Sequence, residues 1–244
     1  MRSKSLVLIF VLLLAPLAVR AGGSVPGSAN PFLAGMPNGS TCCSGDAAPA
    51  QSPVLAGSVT PGTFLTFTVS GSVDNTGAPP TLSPDGDGFF STSSNNGIAG
   101  ANWPINALVG VFLGPGQPDA TAAPTPLDFS GSGVGTNFAT LSPQLKQAFF
   151  IGDGRTGTGT GTVQQFLVPA GATRLFLGTS DGVGWFNNSG SFAFAFGVQG
   201  GGPTPTPTVP VSGPAAQVPT LSFPMLVLLG LALVGASIFL IRRG

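Results

Sequence analysis

The chain has 244 residues, enough for one domain and few for two, and only 7 % of them are charged. It contains no His, Glu or Tyr, which excludes a Ser-His-Asp triad, a His-ligated zinc and an EF-hand closed by a bidentate Glu. Five of the eight cations sit at the two ends (Arg2, Lys4, Arg20, Arg242 and Arg243). Between them Lys146, Arg155 and Arg174 face eight Asp, a net of −5 with no basic cluster for a phosphate backbone, so no nucleic-acid partner is expected.

In chain order, residues 1–21 read as a secretory signal peptide. Arg2 and Lys4 precede the apolar stretch Leu6–Val19, and Val19-Arg20-Ala21 places small side chains at the positions a signal peptidase reads. A signal anchor left in the membrane is the alternative, but the stretch is short for a span. Cys42 and Cys43 are adjacent, with Cα atoms about 3.8 Å apart, which leaves either two loop thiols or a ring-type disulfide. Gly (38) and Pro (24) bring the composition to the margin of low complexity, yet 19 Phe can build an apolar core.

Those phenylalanines follow a period of two. Phe64, Thr66 and Thr68 alternate with Leu65, Phe67 and Val69, and Phe192, Phe194 and Phe196 alternate with Ala193 and Ala195. Further strands are expected at Ala107–Leu113, Val163–Val168 and Thr173–Leu177, separated by Gly- and Pro-rich breaks. Leu141–Gln147 is expected to make at most one turn, N-capped by Ser142. The Gly-Thr run from Gly157 to Thr162 reads as a mobile loop and lacks the Lys of a phosphate-binding motif. The pattern predicts an all-β ectodomain over 22–198, an antiparallel β-sandwich.

Two polar loops carry the candidate chemistry. In the first, Leu177–Phe192, Asp181, Asn187 and Asn188 offer oxygen ligands within eight residues, and the glycines expose backbone carbonyls. Calcium takes six to eight such oxygens, although Asp, Asn and Gly also make ordinary turns. Trp185 in this loop either stacks on a sugar face or packs inward. In the second loop, Ser83-Pro84-Asp85-Gly86-Asp87-Gly88, Asp85 and Asp87 make a solvated turn, a second calcium loop or a set of acceptors for sugar hydroxyls. A glycosidase pair is disfavoured, because two Asp at i, i+2 seldom reach across a substrate and no Glu is available.

The stretch Asp181…Asn187-Asn188-Ser189-Gly190-Ser191-Phe192 resembles the C-terminal signature of the PA-IL-type galactophilic bacterial lectins. Pro61-Gly62 before the strand Thr63–Val69, Ala107-Leu108-Val109 and Val168-Pro169 also fit. The resemblance implies a small jelly-roll-like β-sandwich with one calcium ion, whose shell sugar hydroxyls complete. It implies side-chain ligands from Asp181, Asn187 and Asn188, and backbone carbonyls near Gly184 (or Val183) and Asn75. The interval from Asp181 to the first Asn is one residue shorter than the family's, and the family's sugar-contacting His has no counterpart. Asp85, Asp87 and Trp185 would then supply the sugar contacts, and galactose specificity is not carried over.

Beyond residue 198, the segment 199–217 (QGGGPTPTPTVPVSGPAAQ) reads as a polyproline II stalk of roughly 50 Å. Phe223–Ile241 is an apolar run that as a helix would rise about 28 Å, a membrane span, with Arg242 and Arg243 on the cytoplasmic side. With Val218-Pro219-Thr220-Leu221-Ser222 before it, the segment 218–244 resembles the IPTL-CTERM class of bacterial sorting tails. That resemblance implies recognition by an envelope sorting protease. The departures are Val218, where the class has Ile, and Phe223-Pro224, where it has Glu-Trp. The expectation is an exported, envelope-tethered, non-enzymatic protein that binds a neutral saccharide through calcium. A structural surface or matrix protein of the same fold is the alternative. If the two ends are processed as read, mass spectrometry of the native protein will find its N-terminus at Gly22. It will also find the chain either ending before the apolar run or embedded in a membrane, and full-length protein in the cytoplasm would overturn the reading.

Overall fold

In the computed structural model residues 18–200 are described; most of the signal-like start, the stalk and the apolar tail lie outside them. Every regular element among the described residues is a strand or a single 3₁₀ turn, so the domain is all-β. No helix among them is long and apolar enough to cross a membrane.

Five strands form the first sheet. They are β1 (Ala18–Pro26), β13 (Ser189–Gln199), β5 (Phe64–Asp74), β11 (Gln165–Leu167) and β9 (Thr140–Leu141), hydrogen-bonded in that order. The alternation anticipated at Phe64–Val69 and Phe192–Phe196 is the register of its centre: Phe196 pairs with Phe67, and Phe194 with Val69. β1 begins at Ala18 and continues through Ala21, so the strand crosses the expected cleavage point; its segment Gly23–Pro26 pairs separately with Ser191–Phe194 after a bulge.

The second sheet is built on β7 (Ala101–Leu113), which pairs with β10 (Ala148–Phe150) and β12 (Arg174–Thr179); β4 (Val54–Ser58) extends it beyond β12. β6 (Asp85–Ser91) and β8 (Leu127–Asp128) also pair with β7. β2 (Thr41–Cys42) and β3 (Asp46–Ala47) make a two-stranded ribbon apart from both sheets. Pairing is antiparallel except for β11 with β9 and β7 with β8, two short parallel contacts that the sequence pattern does not announce.

Phenyl rings fill the space between the sheets. Phe166 of β11 lies 5.3 Å from Phe67, 5.7 Å from Phe138 and 5.6 Å from Phe149 of the opposite sheet, and Phe149 stacks on Phe112 at 4.9 Å. Offset and edge-on aromatic pairs of this kind add to simple burial. Gly110 admits the Phe149 ring, because a Cβ there would stand 2.6 Å from it.

Several local expectations change. β7 starts six residues before Ala107 and runs through Pro104 and Asn106, where its pairing passes from β6 to β12. Asp85-Gly86-Asp87 lies in β6 rather than in a free turn, since the residues pair with Ala107 and Ile105. The turn after β9 is closed by the Gln147 side chain, which accepts from the Gln144 N–H at 2.9 Å, and not by Ser142. The Gly-Thr loop is laced by hydrogen bonds: Asp153 accepts from the Gly159 N–H, Asn137 from the Gly157 N–H, and Gly161 from Arg155. Lys146 donates to the carbonyls of Pro118, Thr121 and Ala122, and Arg174 to Gly114 and Gly116, so the interior cations hold loops.

Phe166 is fully buried at the meeting of the two sheets. Phe166→Ala is expected to cost about 3–5 kcal/mol, whereas Phe89→Ala, on a half-exposed ring, should stay within about 0.5 kcal/mol. Urea denaturation of the two variants checks both values.

Candidate functional site

The loop between β12 and β13 is fixed by a buried carboxylate that the sequence does not single out. Asp46 of β3, fully enclosed, accepts from the Trp185 N–H at 3.1 Å and the Phe186 N–H at 2.8 Å. Asn30 donates to the same carboxylate at 3.1 Å. These contacts cap the 3₁₀ turn Trp185–Asn187, whose first N–H groups would otherwise be orphaned. Burial raises the Asp46 pKa most, partly offset by the donors from Phe186, Trp185, Asn30 and Gly184.

Trp185 is drawn into the core by this cap. Its ring is fully buried, lies edge-on to Phe32 at 5.9 Å and donates its indole N–H to the Thr179 carbonyl at 2.8 Å. It presents no face for a sugar to stack on, which corrects the expected contact and leaves the packing alternative. Gly184 takes a left-handed φ of 80°, donates to the Cys43 carbonyl at 3.3 Å and accepts from the Asn187 N–H at 3.2 Å. Its carbonyl thus serves the turn. Cys42 and Cys43 are disulfide-bonded to each other and stand beside this loop.

Asp181 opens the loop from the end of β12 and is buried, at 3 % exposure. One carboxylate oxygen accepts from the Gly182 N–H at 2.6 Å and stands 3.5 Å from the Asn75 amide. Asn75 in turn accepts from the Asn106 amide at 3.0 Å, and Asn188 lies against the Asp181 carboxyl while donating to the Gly27 carbonyl at 3.1 Å. The second oxygen of Asp181 and the side-chain oxygens of Asn106 and Asn188 are buried and have no hydrogen-bond partner. Of five such atoms among the described residues, three belong to this one cluster, and all three are acceptors. An unpaired buried acceptor costs about 1–3 kcal/mol. Three together call for a donor or a cation.

Among the sequence candidates, Asp181, Asn188 and Asn75 therefore come together. Asn187 does not join them: it is exposed, and no hydrogen bond among the described residues ties its side chain to the cluster. Asn106 takes its place. It sits in β7 with φ of 65°, a conformation Asn adopts more readily than most residues, and Ser180 pins the bend by accepting from its N–H and donating to the Pro104 carbonyl. The faint sequence signal was a polar residue at the head of the apolar run Ala107–Leu113. Gly86 of β6 makes room there, because a Cβ would stand 2.2 Å from the Ile105 carbonyl.

The arrangement is one carboxylate with three amides, an oxygen-only set of the kind hard cations take. Among the described residues no three His, Cys, Asp or Glu side chains gather to hold a metal, so a cation here would rest mainly on amide oxygens. Burial raises the Asp181 pKa most; Asn188, the Gly182 N–H and Asn75 oppose it, and the negative Asp46 nearby raises it further.

Asp85 is half-buried in a separate cavity of about 170 Å³ with Thr136, Asn137 and Arg155 on its walls. It accepts from the Asp153 N–H at 2.9 Å, and burial raises its pKa as well. Asp87 is exposed, and its carboxylate accepts from the neighbouring Gly88 N–H. The search of protein-family models and of curated proteins finds no match for this chain.

Three carboxyls (Asp46, Asp85, Asp181) are thus raised on folding, which favours the fold while they are neutral and is lost as pH rises through the raised values. Asp74 and Asp128 are held low, chiefly by the Thr76 and Ser130 side chains, and their contribution is lost only below the ordinary carboxylate range. The protein in chelator should therefore gain thermal stability as pH falls from about 7 to about 4.5. A melting temperature that falls steadily over that interval would count against the burial that raises these three carboxyls.

Proposed function

We propose that this is an exported, envelope-tethered protein whose β-domain binds a neutral saccharide through a calcium ion. The domain reads as a jelly-roll-like antiparallel sandwich resembling the PA-IL-type lectins, with the IPTL-CTERM-like tail recognised by an envelope sorting protease. The calcium would take the free oxygens of Asp181, Asn106 and Asn188, with Asn75 beside them. The observation that carries this reading is the trio of buried acceptors without donors, gathered around one carboxylate. A divalent cation satisfies acceptors without needing a donor of its own, and vicinal sugar hydroxyls fill the coordination positions that the protein leaves.

With one formal negative charge the site should be weak, in the range of about 10⁻⁴–10⁻³ M that extracellular modules use. The scarcity of interior cations, each occupied with backbone carbonyls, supports a neutral ligand over a sulfated or phosphorylated one. Asp85 and Asp87 remain candidate hydroxyl acceptors on β6, close to Asn106 through its neighbours Ala107 and Ile105. The second reading, a structural surface protein of the same fold, is favoured by the burial of Trp185, which removes the one aromatic of the loop expected to meet a sugar.

Calcium and sugar binding, measured together, decide between them. At 100 times its dissociation constant it should stabilise the purified full-length chain by about 2.7 kcal/mol, raising the melting temperature by several degrees. Chelator, Asp181→Ala and Asn106→Ala should each abolish the rise, whereas Asn187→Ala should leave it. Calorimetry against neutral monosaccharides in saturating calcium then tests the sugar. A rise without any sugar binding at millimolar concentration would leave a calcium-stabilised structural protein; no rise at all would remove the metal.

A further inference from the structure

Beside the Asp181 loop lies a hollow of about 260 Å³ whose walls carry no charged residue. Its apolar lining is Phe32, Phe90, Val183 and the Cys43 end of the disulfide. Phe90, near the end of β6, is 45 % and Val183, in the loop, 59 % exposed, so both offer apolar surface to the same space. The rim is polar. The hydroxyls of Ser91 and Ser93 and the side-chain oxygen of Asn95 make no hydrogen bond among the described residues, although they border the same space.

The hollow is joined to the oxygen cluster through the backbone. Gly182 follows Asp181 and lines the hollow, and a Cβ there would stand 2.7 Å from the edge of the Phe90 ring, so ring and loop backbone meet closely. Phe90 pairs with Trp103, three residues from Asn106 along the same strand β7, so the hollow and the oxygen cluster lie at neighbouring positions of one sheet edge and one loop.

We propose that this hollow is a second sugar subsite, taking the ring next to the one held on the calcium. A pyranose has a face of C–H groups and a rim of hydroxyls, which is the complement of an apolar lining edged by Ser91, Ser93 and Asn95. The volume suits one ring and is too small for a longer segment. The lack of charge selects a neutral sugar. The ligand class is therefore a neutral oligosaccharide of at least two units, with the calcium fixing one ring and Phe90 with Val183 selecting the next. This inference rests on the calcium–saccharide reading above.

The test compares methyl glycosides of neutral hexoses with the matching disaccharides, by calorimetry on the full-length chain in saturating calcium. The disaccharide that binds should do so more tightly than its methyl glycoside. Phe90→Ala should weaken the disaccharide by roughly three- to tenfold, the size of one lost stacking contact. It should leave the methyl glycoside and the calcium-induced rise in melting temperature unchanged, and Val183→Ser should repeat the pattern. If methyl glycosides bind but the disaccharides gain nothing, or if both variants weaken the two ligands alike or not at all, the subsite is wrong while the calcium–saccharide reading stands. If calcium stabilises the chain but no saccharide of the panel binds, both fall.

Discussion

A single buried carboxylate, Asp46, organises the end of the domain where the candidate site lies. Its oxygens receive the backbone of the Trp185–Asn187 turn and the amide of Asn30. Without it, the Trp185 N–H at the start of the turn would be buried and unpaired, beneath a ring that Phe32 and the Thr179 carbonyl hold inward. Because Asp46 belongs to the β2–β3 ribbon, the same contact brings the Cys42–Cys43 disulfide against the loop, where Cys43 accepts from Gly184. The ribbon is small and pairs with neither sheet. Its role is to clamp the loop that carries Asp181.

That clamp has an electrostatic consequence. Asp46 and Asp181 are both enclosed, and the charge of one opposes ionisation of the other. Asp46 is compensated by several donors, whereas Asp181 keeps one buried oxygen without a partner, as do the side chains of Asn106 and Asn188. A protein gains nothing in stability from such an imbalance. The left-handed Asn106 beside it is a local conformational cost of the same kind.

Much of the architecture was legible in the sequence because period-two patterning is a property of single strands. The stretches around Phe64–Val69 and Phe192–Phe196 state which face is buried, and the structure uses those faces. The strand at Ala107–Leu113 was also legible, but its first six residues were not, since Pro104 and a left-handed Asn106 are poor strand signals. Of the site, Asp181, Asn188 and Asn75 were legible from spacing and resemblance together. Trp185 and Asn187 misled because a loop sequence records which groups are present and not the direction each faces; the backbone at Trp185 is held by Asp46, 139 residues away in the chain. Asn106 was missed because its partners are the residue after β5 and the residue after β12, contacts that no local window contains.

The use of charge follows one rule throughout. With so few ionic groups the domain makes little use of ion pairing, and each interior cation caps backbone carbonyls of a loop while Asp46, Asp128 and Asp153 receive backbone N–H groups of another. Loops fixed in this way need no helices to support them, which is how a chain rich in Gly and Pro can hold side chains in defined positions. It also explains why the surface near Asp181 can leave Phe90 and Val183 in contact with solvent: the backbone beneath them is held by hydrogen bonds and not by their burial. Those two apolar groups line the same hollow as Gly182, whose neighbour Asp181 keeps one of the few buried oxygens without a partner among the described residues, so apolar surface and unpaired polar groups meet at one end of the loop.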